Sequence, residues 1–369
     1  MKRWVLLPLG ILLFLGITYW AIGKIQYRMN VMDIEDYDPV STLKVPETLL
    51  TRAKFPFVDV HNHQWTMPVQ DLDKLVGDMD ALNMAVMVNL SGFRGKYLEW
   101  SLDNVADHWE NRFALFLNID FEDLDDAGWP DNALELLEQG VQQGVRGLKV
   151  YKGLGLTDKD NQGNRIAVDD ARLDPVWAKC GELGIPVLIH SGEPAAFWQK
   201  KDKYNERWLE LKQRPNRYRS PEKYPTFEEI MAEQHRVFRK HPGTTFINAH
   251  LGWFGNDLNR LGKLLDEMPN VYTELGAVLA ELGRQPRNAR RWMIRYQDRV
   301  MMGKDTYNKQ EYYTYFRVLE TDDEYFDYYR KRHAHWKMYG LDLPDSVLKK
   351  VYYQNALKVI PGLDAALFE

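Results

Sequence analysis

Short apolar runs rich in Val, Ile, Phe and Met recur along this chain, separated by stretches whose apolar positions fall every three or four residues. The runs read as buried strands and the spacers as amphipathic helices. The strand candidates are FVDVHNH (57–63), MAVMVNL (84–90), FALFLNID (113–120), VRGLKVYKG (145–153), IPVLIHSGE (185–193), TTFINAHLG (244–252), NVYTELGAV (270–278) and RVMMGKDTY (299–307). Strands alternating with helices imply crossover units and a parallel sheet. Eight such units predict an α/β fold closed into a (β/α)8, or TIM, barrel. An open doubly wound sheet is the alternative, but no Gly-rich phosphate fingerprint follows the first strand.

The pattern differs at the N-terminus. Lys2 and Arg3 precede a charge-free run from Trp4 to Gly23 that is apolar on every face. Such a length can span a bilayer, and the leading basic residues favour an N-terminus left in the cytoplasm. The run is bulkier than a signal peptide's, so residues 1–23 are expected to be a retained anchor in the inner membrane, with the body on the periplasmic or extracellular side. Cleavage near Ala21-Ile22-Gly23, releasing the body to the periplasm, is the alternative. Residues 24–54 read as a linker, and 55–369 as the barrel.

Two segments exceed what a barrel needs. Residues 194–237 and 306–340 both follow strand C-termini, the face that holds active sites, and both are dense in aromatic and charged residues. They are expected to wall the pocket. Their last parts, FEEIMAEQHRVFRK and FDYYRKRHAHWKMYG, have helical spacing.

Composition changes the picture little. A formal net charge of −5 offers no basic field for nucleic acid. The single cysteine, Cys180, allows no internal disulfide. A small-molecule substrate is the expected partner, with membrane contact confined to the N-terminal helix and self-association into a homo-oligomer left open.

Candidate chemistry gathers at the strand ends. His61 and His63 close the first run, and residues two apart on a strand face one side. His190 ends the fifth run, His250 the sixth and Asp305 the eighth. Of nine histidines, four therefore sit at expected strand C-termini. Each alone is explained by a hydrogen bond. Together, buried ionisable groups at one end of a barrel need a common partner, and a divalent cation supplies one.

With the DVHNH opening, the IHSGEP, NAHLG and GKD strand ends and the late VYYQNALKVI, residues 55–362 resemble the amidohydrolase superfamily, in particular its amidohydrolase-related (amidohydrolase 2) branch. The resemblance implies that His61, His63, His190 and Asp305 hold one divalent metal, with Zn2+ expected from the N/O donors and a second metal allowed. It implies that His250 either binds that second ion or polarises the substrate, and that Asp305 takes a proton from water. Two-metal relatives carry a carbamylated lysine on the fourth strand, where Lys149 and Lys152 stand; a single metal is expected, with Lys149 a substrate or structural residue. Lys304, where the branch usually has a small hydroxyl residue, either depresses the basicity of Asp305 or points away. Glu193 and Glu274 are candidate supports for the ligands or plain solvated acids. The implied activity is metal-dependent hydrolysis of a C–N or C–O bond in an amide, lactone or cyclic ester. Non-oxidative, metal-dependent decarboxylation of an aromatic or unsaturated acid is the alternative. A binding protein that has lost turnover fits less well, because its ligand set would be expected to erode first.

Overall fold

Every residue of the eight strands is buried, which is why their sequences run apolar instead of alternating. The computed structural model describes residues 3–106, 108–121 and 123–369, with side chains from residue 12 onward. It divides into two units, Met1–Lys44 and Val45–Glu369.

In the first unit, α1 spans Arg3–Met29. Leu12, Leu13, Phe14, Leu15, Ile17 and Trp20 on it are exposed. Among the described residues no helix is long and apolar enough to cross a membrane. The bilayer-spanning helix expected over 4–23 therefore lacks support, and its leading Lys2 lies outside the described residues.

The second unit is the barrel. Its strands are β1 Phe57–Asn62, β2 Met84–Asn89, β3 Phe113–Asn118, β4 Gly147–Val150, β5 Val187–Ile189, β6 Phe246–Asn248, β7 Val271–Glu274 and β8 Val300–Met301. All pair in parallel, in chain order. The helices that follow them are α2 Leu72–Leu82, α3 Gly95–Ala106, α4 Trp129–Gln143, α5 Asp174–Glu182, α6 Trp208–Gln213, α7 Phe227–Lys240, α8 Leu258–Glu267, α9 Leu279–Gly283, α10 Pro286–Arg295 and α11 Lys309–Glu320. One cluster fills the lumen with Val58, Val60, Val86, Phe116, Leu188, Ile247 and Met301; Val359, Ile360 and Phe368 from the C-terminal segment join it. A larger one lies between strands and helices. Residues 45–54 belong to this unit: Thr48 donates its N–H and hydroxyl to Asp323, and the Ala53 N–H bonds the Leu82 carbonyl.

β8 closes on β1 through few bonds. The Val60 N–H donates to the Met302 carbonyl (3.0 Å), Asp305 N–H to the His61 carbonyl (2.6 Å), and Asn62 and Asp305 form a parallel bridge. The buried Asp59 side chain reinforces this seam. It accepts from the N–H groups of His61 and Lys304, the Asn62 amide and the Tyr312 hydroxyl. Burial nevertheless raises its pKa to about 6.

The two excursions differ. FEEIMAEQHRVFRK forms α7, opened by a Thr226–Glu229 capping box. FDYYRKRHAHWKMYG does not form the helix its spacing suggests. It is irregular, held by an antiparallel bridge between Phe326 and Met338. Its buried Tyr328 packs on Tyr329, and Tyr329 stacks on Tyr315 of α11, so these aromatics serve a neighbouring helix instead of one face of their own.

Tyr312→Phe removes the hydroxyl bond to buried Asp59 and is expected to cost about 2 kcal/mol, read as a lowered urea midpoint with unchanged slope.

Candidate metal centre

The strand C-termini converge as the sequence suggests, but two backbone irregularities aim the side chains. Plain alternation would turn His61 outward with Asp59, since Val58 and Val60 face the lumen. The β1–β2 register shifts between Asp59 and Asn62. This bulge turns His61 inward. Beyond β6, His250, Leu251 and Gly252 are consecutively left-handed (φ 59°, 54° and 57°). That is costly for non-glycine residues and typical of functional sites. Asp305 is left-handed too (φ 82°).

Glu274, the last residue of β7, ties the cluster together. One carboxylate oxygen accepts from His61 Nδ1 (2.9 Å) and from the His250 N–H (2.6 Å); the other accepts from the Gly276 N–H. A carboxylate can only accept here, so the His61 proton lies on Nδ1 and Nε2 offers a lone pair. That buried Nε2 has no hydrogen-bond partner and lies 3.6 Å from Asp305. His63 Nε2 is 3.7 Å from the same Asp305 oxygen, and its Nδ1 meets Ser91 Oγ at 2.7 Å.

The Gly276 carbonyl fixes the His250 proton on Nδ1 in the same way (2.7 Å). His250 Nε2 is then an acceptor facing His190 Nδ1 at 3.2 Å, which leaves His190 Nε2 buried and unpartnered. Two three-residue groups stand within cation-sharing distance: His61, His63 and Asp305, and His61, His250 and Glu274. His190 adjoins them through His250 (rings 4.4 Å apart).

Electrostatics suit a cation. Burial, with the Lys149 charge, holds His61 far below its ordinary pKa and His63 at about 3. Burial, then His250 and Lys149, does the same to His190. Burial opposes ionisation of Asp305, yet the surrounding imidazoles and the Lys149 charge hold its carboxyl below the usual carboxylate range. Neutral imidazoles beside an ionised carboxylate are the donor set a divalent metal needs. The orphaned Nε2 of His61, beside His63 and Asp305, fits such an ion, and the free Nε2 of His190 has the chemistry of a further ligand.

The remaining candidates lie nearby or elsewhere. Lys149 on β4 has a buried Nζ without a hydrogen-bond partner; burial lowers it to about 7 against the pull of Asp305 and Glu274. Lys152 and Glu193 pair with each other (2.7 Å). Lys304 points away from Asp305, bonding Glu311 and the Thr306 carbonyl. The sequence reading did not single out Ser91, Asp59, Trp65 or Tyr151. Trp65 and Tyr151 had a signal, each lying two residues beyond a candidate, His63 and Lys149.

The sequence of residues 51–362 matches the family model described as Amidohydrolase. The chain belongs to the amidohydrolase family. It is an enzyme of that family, and the family is metal-dependent. No curated protein sequence matches it. Among solved structures it is similar in fold to 2,6-dihydroxybenzoate decarboxylase from Rhizobium (TM-score 0.53, 15% identity, 83% of this chain and 98% of that one). It is similar as well to a dihydroxybenzoic acid decarboxylase from Polaromonas sp. JS666 with bound manganese (0.54, 14%, 83% and 96%). An uncharacterized TIM-barrel protein from Bordetella bronchiseptica resembles it to the same degree (0.51, 15%, 82% and 98%).

Glu274→Gln replaces an acceptor with an amide that can present N–H to His61 and His250. It is expected to weaken metal binding by about 10–100-fold, measured by competition with a chromophoric chelator.

Proposed function

We propose that this amidohydrolase is a hydrolase of a C–N or C–O bond in an amide, lactone or cyclic ester. The observation that carries the reading is the unpartnered Nε2 of His61, oriented by Glu274 toward Asp305 beside His63. His61, His63, His190 and Asp305 would hold one divalent cation, with zinc the choice that imidazole and carboxylate donors favour. The manganese in the Polaromonas relative keeps other divalent ions open. Such an ion polarises a carbonyl and lowers the pKa of water.

The chain's own groups do the rest. Asp305, ionised and next to His61 and His63, accepts the proton of the attacking water. His250, its Nδ1 proton committed to Gly276, accepts at Nε2 from His190 Nδ1 and so holds the His190 ring with its Nε2 free for a cation. Lys149 offers a positive charge to an oxygen that gains negative charge as the bond is attacked. Trp253, stacked on His250 (4.6 Å between rings), fixes that imidazole and keeps water from its far face.

A second reading has its own support. The near-parallel rings of His63, Trp65 and Tyr151, with Lys149 beside them, suit non-oxidative decarboxylation of an aromatic acid, the activity in the names of two structural relatives. Carbon dioxide release, instead of acid release from an ester or amide, would identify it. Anchoring through residues 1–23 is likewise proposed, on the charge-free run 4–23 and the exposed apolar side chains of α1; retention in membranes after carbonate washing would support it.

The double variant His61→Ala/His63→Ala is expected to lose bound metal and hydrolysis together, and stoichiometric metal by elemental analysis would refute the ligand assignment. Asp305→Asn is expected to lower kcat by about 10²–10⁴-fold even when reconstituted with metal. A near-native kcat in a screen of lactones and amides would remove it as the proton acceptor.

A further inference from the structure

Three of the four clustered imidazoles have their protons placed by atoms that can only accept. Glu274 holds the Nδ1 proton of His61, the Gly276 carbonyl that of His250, and His250 Nε2 that of His190. His63 is different. Its Nδ1 meets Ser91 Oγ at 2.7 Å, and a serine hydroxyl can either donate or accept. This contact alone therefore leaves two tautomers open to His63. Only the one with its proton on Nδ1 keeps a lone pair on Nε2, the atom 3.7 Å from Asp305.

The next bonds along the chain of hydroxyls decide between them. Ser91 Oγ also meets the Tyr151 hydroxyl at 3.2 Å, and that hydroxyl lies 3.1 Å from the Leu90 carbonyl. A carbonyl has no proton to give, so Tyr151 donates to it. The Leu90 peptide is itself fixed: its N–H donates to the Asn62 carbonyl (2.8 Å), and its own carbonyl accepts from the Asn118 amide as well (3.1 Å). With its one proton committed there, the Tyr151 oxygen accepts from Ser91. Ser91 Oγ, its own proton committed in turn, accepts from His63 Nδ1. The reverse order would leave the Tyr151 oxygen and the Leu90 carbonyl 3.1 Å apart with no proton between them.

We propose that Tyr151, acting through Ser91, is the positioning residue that holds the proton of His63 on Nδ1 and its lone pair on Nε2. The relay ties the residues just beyond β2 and β4 to the one just beyond β1. The rings of Trp65 (5.2 Å, 9°) and Tyr151 (5.8 Å, 25°) lie nearly parallel to that of His63, so stacking sets the tilt of the imidazole and the hydroxyls set its tautomer. A ligand histidine held by its second nitrogen in this way presents the first to a cation. That the lone pair meets a cation rests on the ligand assignment proposed above; the placement of the proton does not.

The test reads the proton directly. The full chain, carrying isotope-labelled histidine and freed of metal by a chelator, is examined by long-range proton–nitrogen correlation spectra. These show which ring nitrogen of each neutral imidazole bears hydrogen, and His63→Gln identifies the His63 signals by their loss. Hydrogen on Nδ1 is expected in the wild type. Tyr151→Phe keeps the stacked ring and removes only the hydroxyl, so the Ser91 proton is free to turn onto His63 and the hydrogen is expected to shift toward Nε2. Zinc affinity, measured by competition with a chromophoric chelator, is expected to fall about tenfold in Tyr151→Phe and in Ser91→Ala. Because one residue acts through the other, the double variant is expected to lose no more than Ser91→Ala alone. Hydrogen on Nε2 of His63 in the wild type overturns the proposal, and so does an unchanged tautomer in Tyr151→Phe. Fully additive losses in the double variant would mark two independent packing effects and overturn it as well. Hydrogen on Nδ1 together with a zinc affinity untouched by His63→Ala removes His63 from the ligand set and keeps the relay.

Discussion

Burying ionisable groups without water is the constraint on which this site depends. Asp59, His61, Lys149, His250, Glu274 and Lys304 are almost wholly withdrawn from solvent, and each would be costly alone. The protein meets the cost with acceptors at fixed positions. Glu274 satisfies one nitrogen of His61, the backbone of His250 and that of Gly276. Asp59 satisfies four donors at the β1–β8 seam. The Nε2 atoms of His61 and His190 and the Nζ of Lys149 stay outside this pairing, two lone pairs suited to a cation and one ammonium suited to an acceptor.

The same accounting explains the backbone irregularities. A regular β1 would send His61 to the helix layer, and a regular exit from β6 would not bring the His250 N–H onto Glu274. The bulge after Asp59 and the left-handed turn at His250–Gly252 are tolerated because the hydrogen bonds they permit are buried and charge-assisted. Gly252 suits the turn doubly: an added Cβ there would stand 2.3 Å from the Asn248 side chain.

Much of this was legible in the sequence, for a physical reason. Strands buried on both sides must be apolar throughout, so the eight runs announce themselves, and a polar residue ending such a run is conspicuous. His61, His190, His250 and Asp305 were visible that way. The bulge was not, because HNH reads as ordinary alternation, and the phase change comes from pairing with β2. Glu274 looked no different from a solvated acid, since its value lies in two partners from distant segments. FDYYRKRHAHWKMYG misled because its aromatic spacing mimics a helix while its tyrosines pack on α11. Lys304 was ambiguous in sequence; its burial beside Glu311 and the rings of Tyr312, Tyr315 and Tyr329 shows it closing the seam behind Asp305.

Proton placement bears on the choice between the two reactions. His61 and His250 each commit their Nδ1 proton to a fixed oxygen, Glu274 and the Gly276 carbonyl, and burial keeps His61, His63 and His190 neutral. Asp305 is ionised. With the imidazoles of His61, His63 and His190 given to a cation and His250 Nε2 to His190, Asp305 is the ionised group left to take a proton. Hydrolysis begins with a proton leaving water, which such a site takes up readily. Non-oxidative decarboxylation must deliver a proton to carbon, which an ionised carboxylate does only after it has itself been protonated. The ionised Asp305 is thus the support for the hydrolytic reading, and the near-parallel rings of His63, Trp65 and Tyr151 the support for the second.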